Sequence, residues 1–254
     1  MTSRASPQIE AASPALCLRG VEKHFGAVVA LKGVDLDLHR GEIVGLVGDN
    51  GAGKSTLVKI ISGVHQPSAG SIELDGERAH FSGPNDARGA GIEVVYQDLA
   101  LVDQQPVYMN MFLGREHTTG PIRRLDHRRM QRETAAILAE LDVNVPSARA
   151  TIRDLSGGQR QGVAIGRATH WASHLVLMDE PTAALGVQET ATAERTIRRL
   201  RDRGLAVLVV SHNLDQVFRL ADRICVLRRG TQVGVVPAAE IDADGIVSMI
   251  TGLR

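Results

Sequence analysis

The sequence has no net charge, few cysteines and no long apolar run, and each of these features argues against a class of protein or site. Lysine and arginine together number 29, as do aspartate and glutamate, so the formal net charge is zero. Proteins that neutralise many nucleic-acid phosphates normally carry an excess of basic residues, so we expect no nucleic-acid partner. No apolar stretch reaches the ~20 residues that a membrane-spanning helix needs, and no apolar signal-peptide core is visible near the start.

The two cysteines, Cys17 and Cys225, each lie in an apolar stretch without a metal-ligating neighbour. This favours two buried thiols in a reducing compartment over a disulfide or a zinc site. With 43% hydrophobic residues among 254, the chain can build one large α/β domain with a small inserted subdomain. We expect the polar residues 1–14 to be disordered and residues 15–254 to form this domain.

The spacing of apolar residues predicts the organisation of the domain. Two half-buried strands at 15–25 and 30–38 predict an antiparallel β region at the N-terminal end. Later apolar runs are short and alternate with helical patterns, which predicts a mostly parallel sheet with helices on both faces. A helical subdomain is predicted to be inserted at about 98–160. We expect 106–154 to be mainly helical, with Asp126 as the N-cap of its clearest helix.

A glycine-rich loop follows the apolar run 42–47 and matches the pattern G-x-x-x-x-G-K-[ST] without a mismatch. Its glycines let backbone N–H groups converge on phosphate oxygens, and the loop leads into a helix N-terminus that favours an anion. We expect the Lys54 ammonium to reach the β- and γ-phosphates of ATP and the Ser55 hydroxyl to bind Mg²⁺. The predicted ATP-binding residues of this P-loop are Gly48, Asn50, Gly51, Gly53, Lys54, Ser55 and Thr56.

An acidic pair, Asp179 and Glu180, ends the buried strand predicted at 175–178. We place this strand beside the strand that enters the P-loop, so that Asp179 lies near Mg²⁺ and Glu180 near the attacking water. A carboxylate in that position can act as the general base. An acidic pair at a strand end is common by itself, and the P-loop is what favours the catalytic interpretation.

A second possible phosphate site begins at Leu155-Ser156-Gly157-Gly158-Gln159, where a serine and two glycines open a helix. The residues alone leave open whether this is a phosphate site or an ordinary N-cap. Together with the P-loop and the acidic pair, this motif resembles the signature of ABC ATPases, and the resemblance extends over nearly the whole chain. It implies an α/β fold with a P-loop NTPase core, and a homodimer that closes on two ATP molecules.

The resemblance also implies roles for further residues of this sequence. Gln97 corresponds to a glutamine that contacts Mg²⁺ and water, His212 to a histidine at the γ-phosphate, and Phe25 to a ring that stacks on adenine. The implied catalytic residues are Glu180, His212 and Gln97, and the implied Mg²⁺ ligands are Ser55, Gln97 and Asp179. The implied ATP-binding residues of the signature, which would serve the other copy, are Ser156, Gly157, Gly158 and Gln159.

One position departs from the family pattern, because Gly186 stands where an aspartate is usual. We expect hydrolysis to survive this change and communication between the two ATP sites to be affected. This variant, together with the segment 249–252, is similar to single-domain ATPases of bacterial monosaccharide importers of the ribose, xylose or fructose type. The similarity implies a peripheral ATPase on the cytoplasmic face of the inner membrane, with a separate integral membrane permease. A periplasmic or extracellular solute-binding protein would be an indirect partner.

Other functions remain open from the sequence. An ATPase of a branched-chain amino-acid importer would have the same chemistry with a different cargo. A soluble ABC ATPase of translation or DNA repair usually has two fused ATPase halves or a long coiled-coil insertion, and neither is seen here. A P-loop kinase would lack the signature motif and the histidine after the strand 207–210.

Overall fold

The computed structural model of the protein describes residues 14–183 and 185–252. Residues 1–13, most of the segment predicted to be disordered, lie outside the described residues. The strands are β1 (Leu16–Phe25), β2 (Val28–Leu38), β3 (Ile43–Val47), β4 (Ala69–Leu74), β5 (Glu77–Ala79), β6 (Ile92–Val95), β7 (Thr118–Thr119), β8 (Arg124–Leu125), β9 (Leu175–Asp179), β10 (Ala206–Val210), β11 (Arg223–Arg228) and β12 (Thr231–Pro237). The helices are α1 (Lys54–Ile61), α2 (Pro84–Gly89), α3 (Val107–Met111), α4 (His127–Glu140), α5 (Gly157–Trp171), α6 (Val187–Asp202), α7 (Leu214–Leu220) and α8 (Ala243–Thr251), with two 3₁₀ turns at Ile152–Asp154 and Ala238–Glu240.

A six-stranded sheet in the order β12-β11-β3-β10-β9-β6 forms the centre of the domain. Every neighbouring pair is parallel except β11 and β12, which confirms the predicted mostly parallel sheet. The predicted placement of β9 beside β3 is wrong, because β10 lies between them. The inner strands β3, β10 and β9 are almost uniformly apolar, as strands covered on both faces must be. Their sequences therefore do not indicate the order in which the strands lie across the sheet.

Apolar cores lie on both faces of the central sheet. Along β10, Leu208 and Val210 pack into the cluster that contains α1, whereas Val207 and Val209 pack into the cluster that contains α5. Successive side chains of a strand point to opposite faces, so one apolar run serves both cores. Cys17 and Cys225 are buried free thiols, and burial raises the pKa of Cys225 to about 12.

A second, four-stranded antiparallel sheet in the order β2-β1-β4-β5 confirms the predicted N-terminal β region. The turn between β1 and β2 pairs Phe25 with Val28. This turn borders the cavity described below. None of the helices in residues 14–183 and 185–252 combines the length and the apolar character needed to cross a membrane.

The segment predicted to be mainly helical at 106–154 holds α3 and α4, but also a small hairpin of β7 and β8 with loops around it. The hairpin turn contains Gly120, whose φ is in the left-handed region, and Pro121. Both residues disfavour a continuous helix through this segment. The predicted cap is confirmed, because the Asp126 carboxylate accepts a hydrogen bond from the Arg129 N–H at 3.0 Å.

Arg167 of α5 joins this helical region to the loop after β6. Its guanidinium donates to the carbonyl oxygens of Leu99 and Ala100, both at 2.9 Å. These carbonyls come two and three residues after Gln97, so α5 is anchored directly to the segment that carries Gln97. One side chain with two hydrogen bonds thus holds a helix and a loop in a fixed relation.

Leu208→Ala should destabilise the fold strongly, because Leu208 is fully buried in the central strand β10. Removing a large aliphatic side chain there should lower the free energy of unfolding by about 3 kcal/mol. Urea denaturation followed by circular dichroism would measure this loss. Val233→Ala on the edge strand β12 is the control: Val233 is 44% exposed, and its replacement should change stability by less than about 0.5 kcal/mol. Equal effects of the two substitutions would contradict the assigned core.

Candidate nucleotide site

A cavity of about 770 Å³ opens where the carboxyl ends of the parallel strands meet the turn between β1 and β2. Loops that follow parallel strands begin at the same edge of the sheet, which is where ligands bind in open α/β folds. The cavity is lined by the P-loop after β3, by Gln97 after β6, by Asp179 and Glu180 at the end of β9, and by His212 after β10. Residues far apart in the sequence are therefore brought together as predicted.

The P-loop has the geometry that its glycines permit. Gly53 has a φ of 106°, a left-handed value that favours glycine. A Cβ there would also lie 2.9 Å from the carbonyl oxygen of Ala30, closer than side chains normally approach backbone. The loop then enters α1 directly at Lys54, so unpaired N–H groups of the first helical turn face the cavity. This end of the cavity is suited to a phosphate chain.

Lys54 is held close to the loop it belongs to. Its ammonium donates to the carbonyl oxygens of Gly48 at 2.6 Å and Asp49 at 3.1 Å. Burial lowers the pKa of Lys54, while the nearby carboxylates of Glu180, Asp49 and Asp179 act in the opposite direction. A partly desolvated cation in a cavity gains most from an incoming anion such as a phosphate.

The cavity also offers oxygen ligands that suit Mg²⁺. Burial raises the pKa of the Asp179 carboxyl, the adjacent Glu180 raises it further, and Lys54 lowers it. The Ser55 hydroxyl and the Gln97 amide line the same cavity. In the described part of the chain, no cluster of three or more His, Cys, Asp or Glu side chains could hold a metal without other ligands. One carboxylate with neutral oxygens fits Mg²⁺, which is commonly bound by few protein groups together with water and phosphate oxygens.

Glu180 and His212 form a pair at the mouth of the cavity. Glu180 has a φ of 51°, which is uncommon for a residue with a side chain, and its N–H donates to the Val210 carbonyl at 2.9 Å. Its carboxylate oxygen Oε1 accepts a hydrogen bond from the backbone N–H of His212 at 3.0 Å and lies 2.7 Å from the ring atom Nδ1 of the same residue. The Glu180 side chain is 17% exposed and that of His212 77%. One oxygen of the carboxylate is thus held by both the backbone and the ring of His212, while the His212 side chain remains largely exposed.

A buried amide supports this pair from behind. Gln216, at 1% exposure, accepts from the Ser211 hydroxyl at 2.9 Å and donates to Thr182 Oγ1 at 2.7 Å. Ser211 precedes His212, and Thr182 follows Glu180 by two residues. Because both loops bond to one side chain, the positions of Glu180 and His212 are linked.

The signature residues do not line this cavity. Ser156, Gly158 and Gln159 line a different one, of about 480 Å³, beside α6. Ser156 caps α5: its hydroxyl accepts from the Gln159 N–H at 3.3 Å, and the Gln159 side chain accepts from the Ser156 N–H at 3.0 Å. This reciprocal capping box fixes the start of the helix. The predicted P-loop residues and the predicted signature residues of one chain therefore line two separate cavities.

Comparison with known proteins identifies the family. The model of the ABC transporter family matches residues 31–183, more than half of the chain. The xylose/arabinose import ATP-binding protein of Sulfolobus acidocaldarius is 45% identical over 94% of this chain and 94% of its own length. The fructose import ATP-binding protein of Rhizobium meliloti is 43% identical over 96% of each chain. This chain belongs to the ABC transporter family. It is an ATP-hydrolysing cassette of that family, as the sequence predicted.

Solved structures of ABC cassettes confirm the predicted fold class. A nucleotide-free ATP-binding cassette from an ABC transporter has a TM-score of 0.81 with 24% identity, covering 93% of this chain and 98% of that one. A dimeric bacterial ABC transporter cassette has a TM-score of 0.73 with 25% identity, covering 88% and 98%. Some relatives are longer: the ribose import ATP-binding protein of Burkholderia mallei is 44% identical over 94% of this chain, but over only 47% of its own length.

The cavity is also lined by residues that no sequence motif indicated. Val28, Val29 and Ala30 line it beside Phe25, and Asp49 lines it within the P-loop. Phe25 is 44% exposed, and the Lys23 ammonium lies 5.2 Å from its ring centre. An exposed ring next to three small apolar residues provides a surface on which a flat base can stack. The run of apolar residues directly after Gly26 was the sequence feature that could have indicated this surface.

Proposed function

We propose that this ABC ATPase is the energising subunit of an importer that takes up a monosaccharide through a separate membrane permease. The observation that carries the proposal is the separation of the P-loop cavity from the signature cavity on one chain. A second copy can place its Ser156 and Gly158 against the nucleotide of the first, and the two copies would then enclose two ATP molecules. The relatives named for xylose/arabinose, fructose and ribose import support a sugar as cargo.

The proposed hydrolysis assigns a task to each residue of the cavity. Lys54 and the N–H groups of the P-loop bind the β- and γ-phosphates, and the ring of Phe25 stacks on adenine. Glu180 accepts the proton of a water that attacks the γ-phosphorus, and His212 orients Glu180 and contacts the γ-phosphate. Mg²⁺ held by Ser55, Gln97 and Asp179 would offset the negative charge of the phosphate oxygens.

Binding and loss of ATP would drive the transport cycle. ATP between the P-loop of one copy and the signature of the other stabilises the closed dimer, and hydrolysis removes that stabilisation. Gln97 lies in the cavity and begins the connection to the helical region. A displacement of Gln97 when the nucleotide changes would therefore shift the helical region and its exposed surface.

That surface includes a groove suited to a permease segment. It has a volume of about 490 Å³ and is lined by charged side chains of both signs together with the apolar Leu113 and Trp171. The charged residues are Arg88, Arg115, Arg167, Glu93 and Glu116, and Arg115 pairs with Glu93 at 3.0 Å. Leu113 is 49% exposed. Apolar and charged side chains side by side suit an amphipathic helix from a membrane protein. We place the protein on the cytoplasmic face of the inner membrane, with a solute-binding protein as an indirect partner.

The proposal is tested by capture of the permease. Tagged Glu180→Gln protein, with ATP, should retain a polytopic permease from detergent-solubilised membranes of the native host, as read by mass spectrometry. Lys54→Ala protein is the matched control and should retain less permease, because it lacks a stable closed dimer. Binding of radiolabelled sugars to the solute-binding protein encoded beside the permease gene would identify the cargo. Capture of ribosomal or DNA-repair proteins without a permease would overturn the transport function.

An importer of branched-chain amino acids is the second candidate, because the ATPase subunit does not contact the cargo. The same capture experiment separates the two candidates. A neighbouring binding protein that retains leucine and not a pentose or hexose would favour the second one.

A further inference from the structure

A carboxylate from α6 lies on the signature residues. Glu189 Oε1 accepts from the Gly158 N–H at 3.2 Å, and Glu189 Oε2 accepts from the Gly186 N–H at 3.1 Å. The nearby Ser156 hydroxyl also lowers the pKa of this carboxylate. This side chain therefore bonds to the Gly158 N–H, one of the signature groups that are proposed to bind the partner's γ-phosphate.

The local sequence explains why Glu189 is placed there. Gly186 is the N-cap of α6 and has no side chain with which to cap the helix, so Glu189, three residues on, bonds back to the Gly186 N–H. The approach to the signature is close: a Cβ on Gly158 would lie 2.8 Å from Glu189 Cγ. Backbone hydrogen bonds from Gly186 and Gly158 lower the pKa of Glu189, so it is an ionised carboxylate at neutral pH.

This contact conflicts with the closed dimer. The Gly158 N–H cannot donate a full hydrogen bond to the Glu189 carboxylate and to a γ-phosphate at the same time. Two anions that share one N–H donor also repel each other. We propose that Glu189 occupies, in the single subunit, the Gly158 N–H that the partner's γ-phosphate takes on closure, so that closing requires Glu189 to release Gly158. This inference rests on the proposed function of Ser156 and Gly158 in a two-copy site.

The release requires only a local change. The two carboxylate oxygens have different partners, so the bond to Gly186 can persist while the one to Gly158 is broken. The cap of α6 is then retained in both states. The contact opposes closure at low ATP and is overcome when ATP is abundant, because a ligand shifts a two-state equilibrium by its preference for one state.

The test measures ATP-dependent dimerisation in the Glu180→Gln background, in which bound ATP is not consumed. Glu189→Gln removes the charge but keeps the shape and an oxygen for the Gly186 N–H. Analytical ultracentrifugation should show half-maximal dimer at about tenfold lower ATP for the double variant. Amide hydrogen exchange of the nucleotide-free protein should show loss of protection at Gly158 with Gly186 still protected.

Glu77→Gln in the same background is the matched control, because it removes a carboxylate from the exposed edge strand β5. It should leave the ATP requirement unchanged. The role of Glu189 would be overturned if the Glu189→Gln variant needed as much ATP as the parent, or more, for half-maximal dimer. The carboxylate would then have no effect on closure or would favour it. Failure of the Glu180→Gln parent itself to dimerise with ATP would instead count against the two-copy site of the proposed function.

Discussion

Glu180→Gln is expected to reduce ATP turnover by about 10³-fold while leaving ATP affinity within about twofold of the parent. The carboxylate is fixed by the N–H and the ring of His212 at the mouth of the nucleotide cavity. Glutamine keeps the shape and can still accept from the His212 N–H, but it cannot take a proton from water. The chemical step should therefore fail while binding survives.

Two measurements check this expectation: steady-state phosphate release gives the turnover number, and equilibrium binding of a fluorescent ATP analogue gives the affinity. The same substitution at the exposed Glu77 should leave both unchanged. Turnover by Glu180→Gln within tenfold of the parent would show that another group removes the proton. A parallel loss of affinity would show that Glu180 supports binding rather than chemistry.

Lys54→Ala is expected to weaken ATP binding by about 100-fold or more, because its ammonium is the partly buried cation of the P-loop. Truncating one member of a desolvated charge pair typically costs about 2–5 kcal/mol, and about 100-fold in affinity corresponds to roughly 2.7 kcal/mol. Hydrolysis should be lost at ATP concentrations that saturate the parent. Isothermal titration calorimetry with ATP and Mg²⁺ measures the effect directly.

Lys59 provides the control for this experiment. It lies on the same helix α1 but is exposed at its C-terminal end. Lys59→Ala removes one positive charge without touching the loop, and ATP affinity should change by less than about threefold. A similar loss of affinity in both variants would mean that overall charge, and not the P-loop contact, determines binding.

Much of the site could be predicted from the sequence because its parts are local motifs. The P-loop has its glycines and Lys54 within a few residues, and the apolar runs of β9 and β10 end directly at Asp179 and before Ser211. Such motifs fix both the type of residue and the end of the sheet at which it lies. The resemblance to the ABC family then supplied roles for Gln97 and Phe25 that spacing alone could not give.

The features that escaped prediction depend on contacts between distant parts of the chain. The order of β3, β10 and β9 is one case, since each is an apolar strand that fits any inner position. Glu189 is another, because it meets Gly158 across 31 residues of sequence. The Gly-x-x-Glu spacing at 186–189 could have suggested a cap, but nothing local indicates a contact with the signature. The hairpin of β7 and β8 is too short for a periodic pattern.

Arg167 connects the helix that begins at the signature to the segment that carries Gln97. It bonds to the carbonyls just beyond Gln97, and it belongs to the same helix that Ser156 caps. If the proposed dimer closes by a rotation of α5, these two hydrogen bonds would pull on the segment that carries Gln97, which lines the subunit's own cavity. In the proposed cycle, contact of the signature with a neighbour would thereby be transmitted to that cavity. The moment of ATP cleavage would then be set by assembly rather than by nucleotide binding alone.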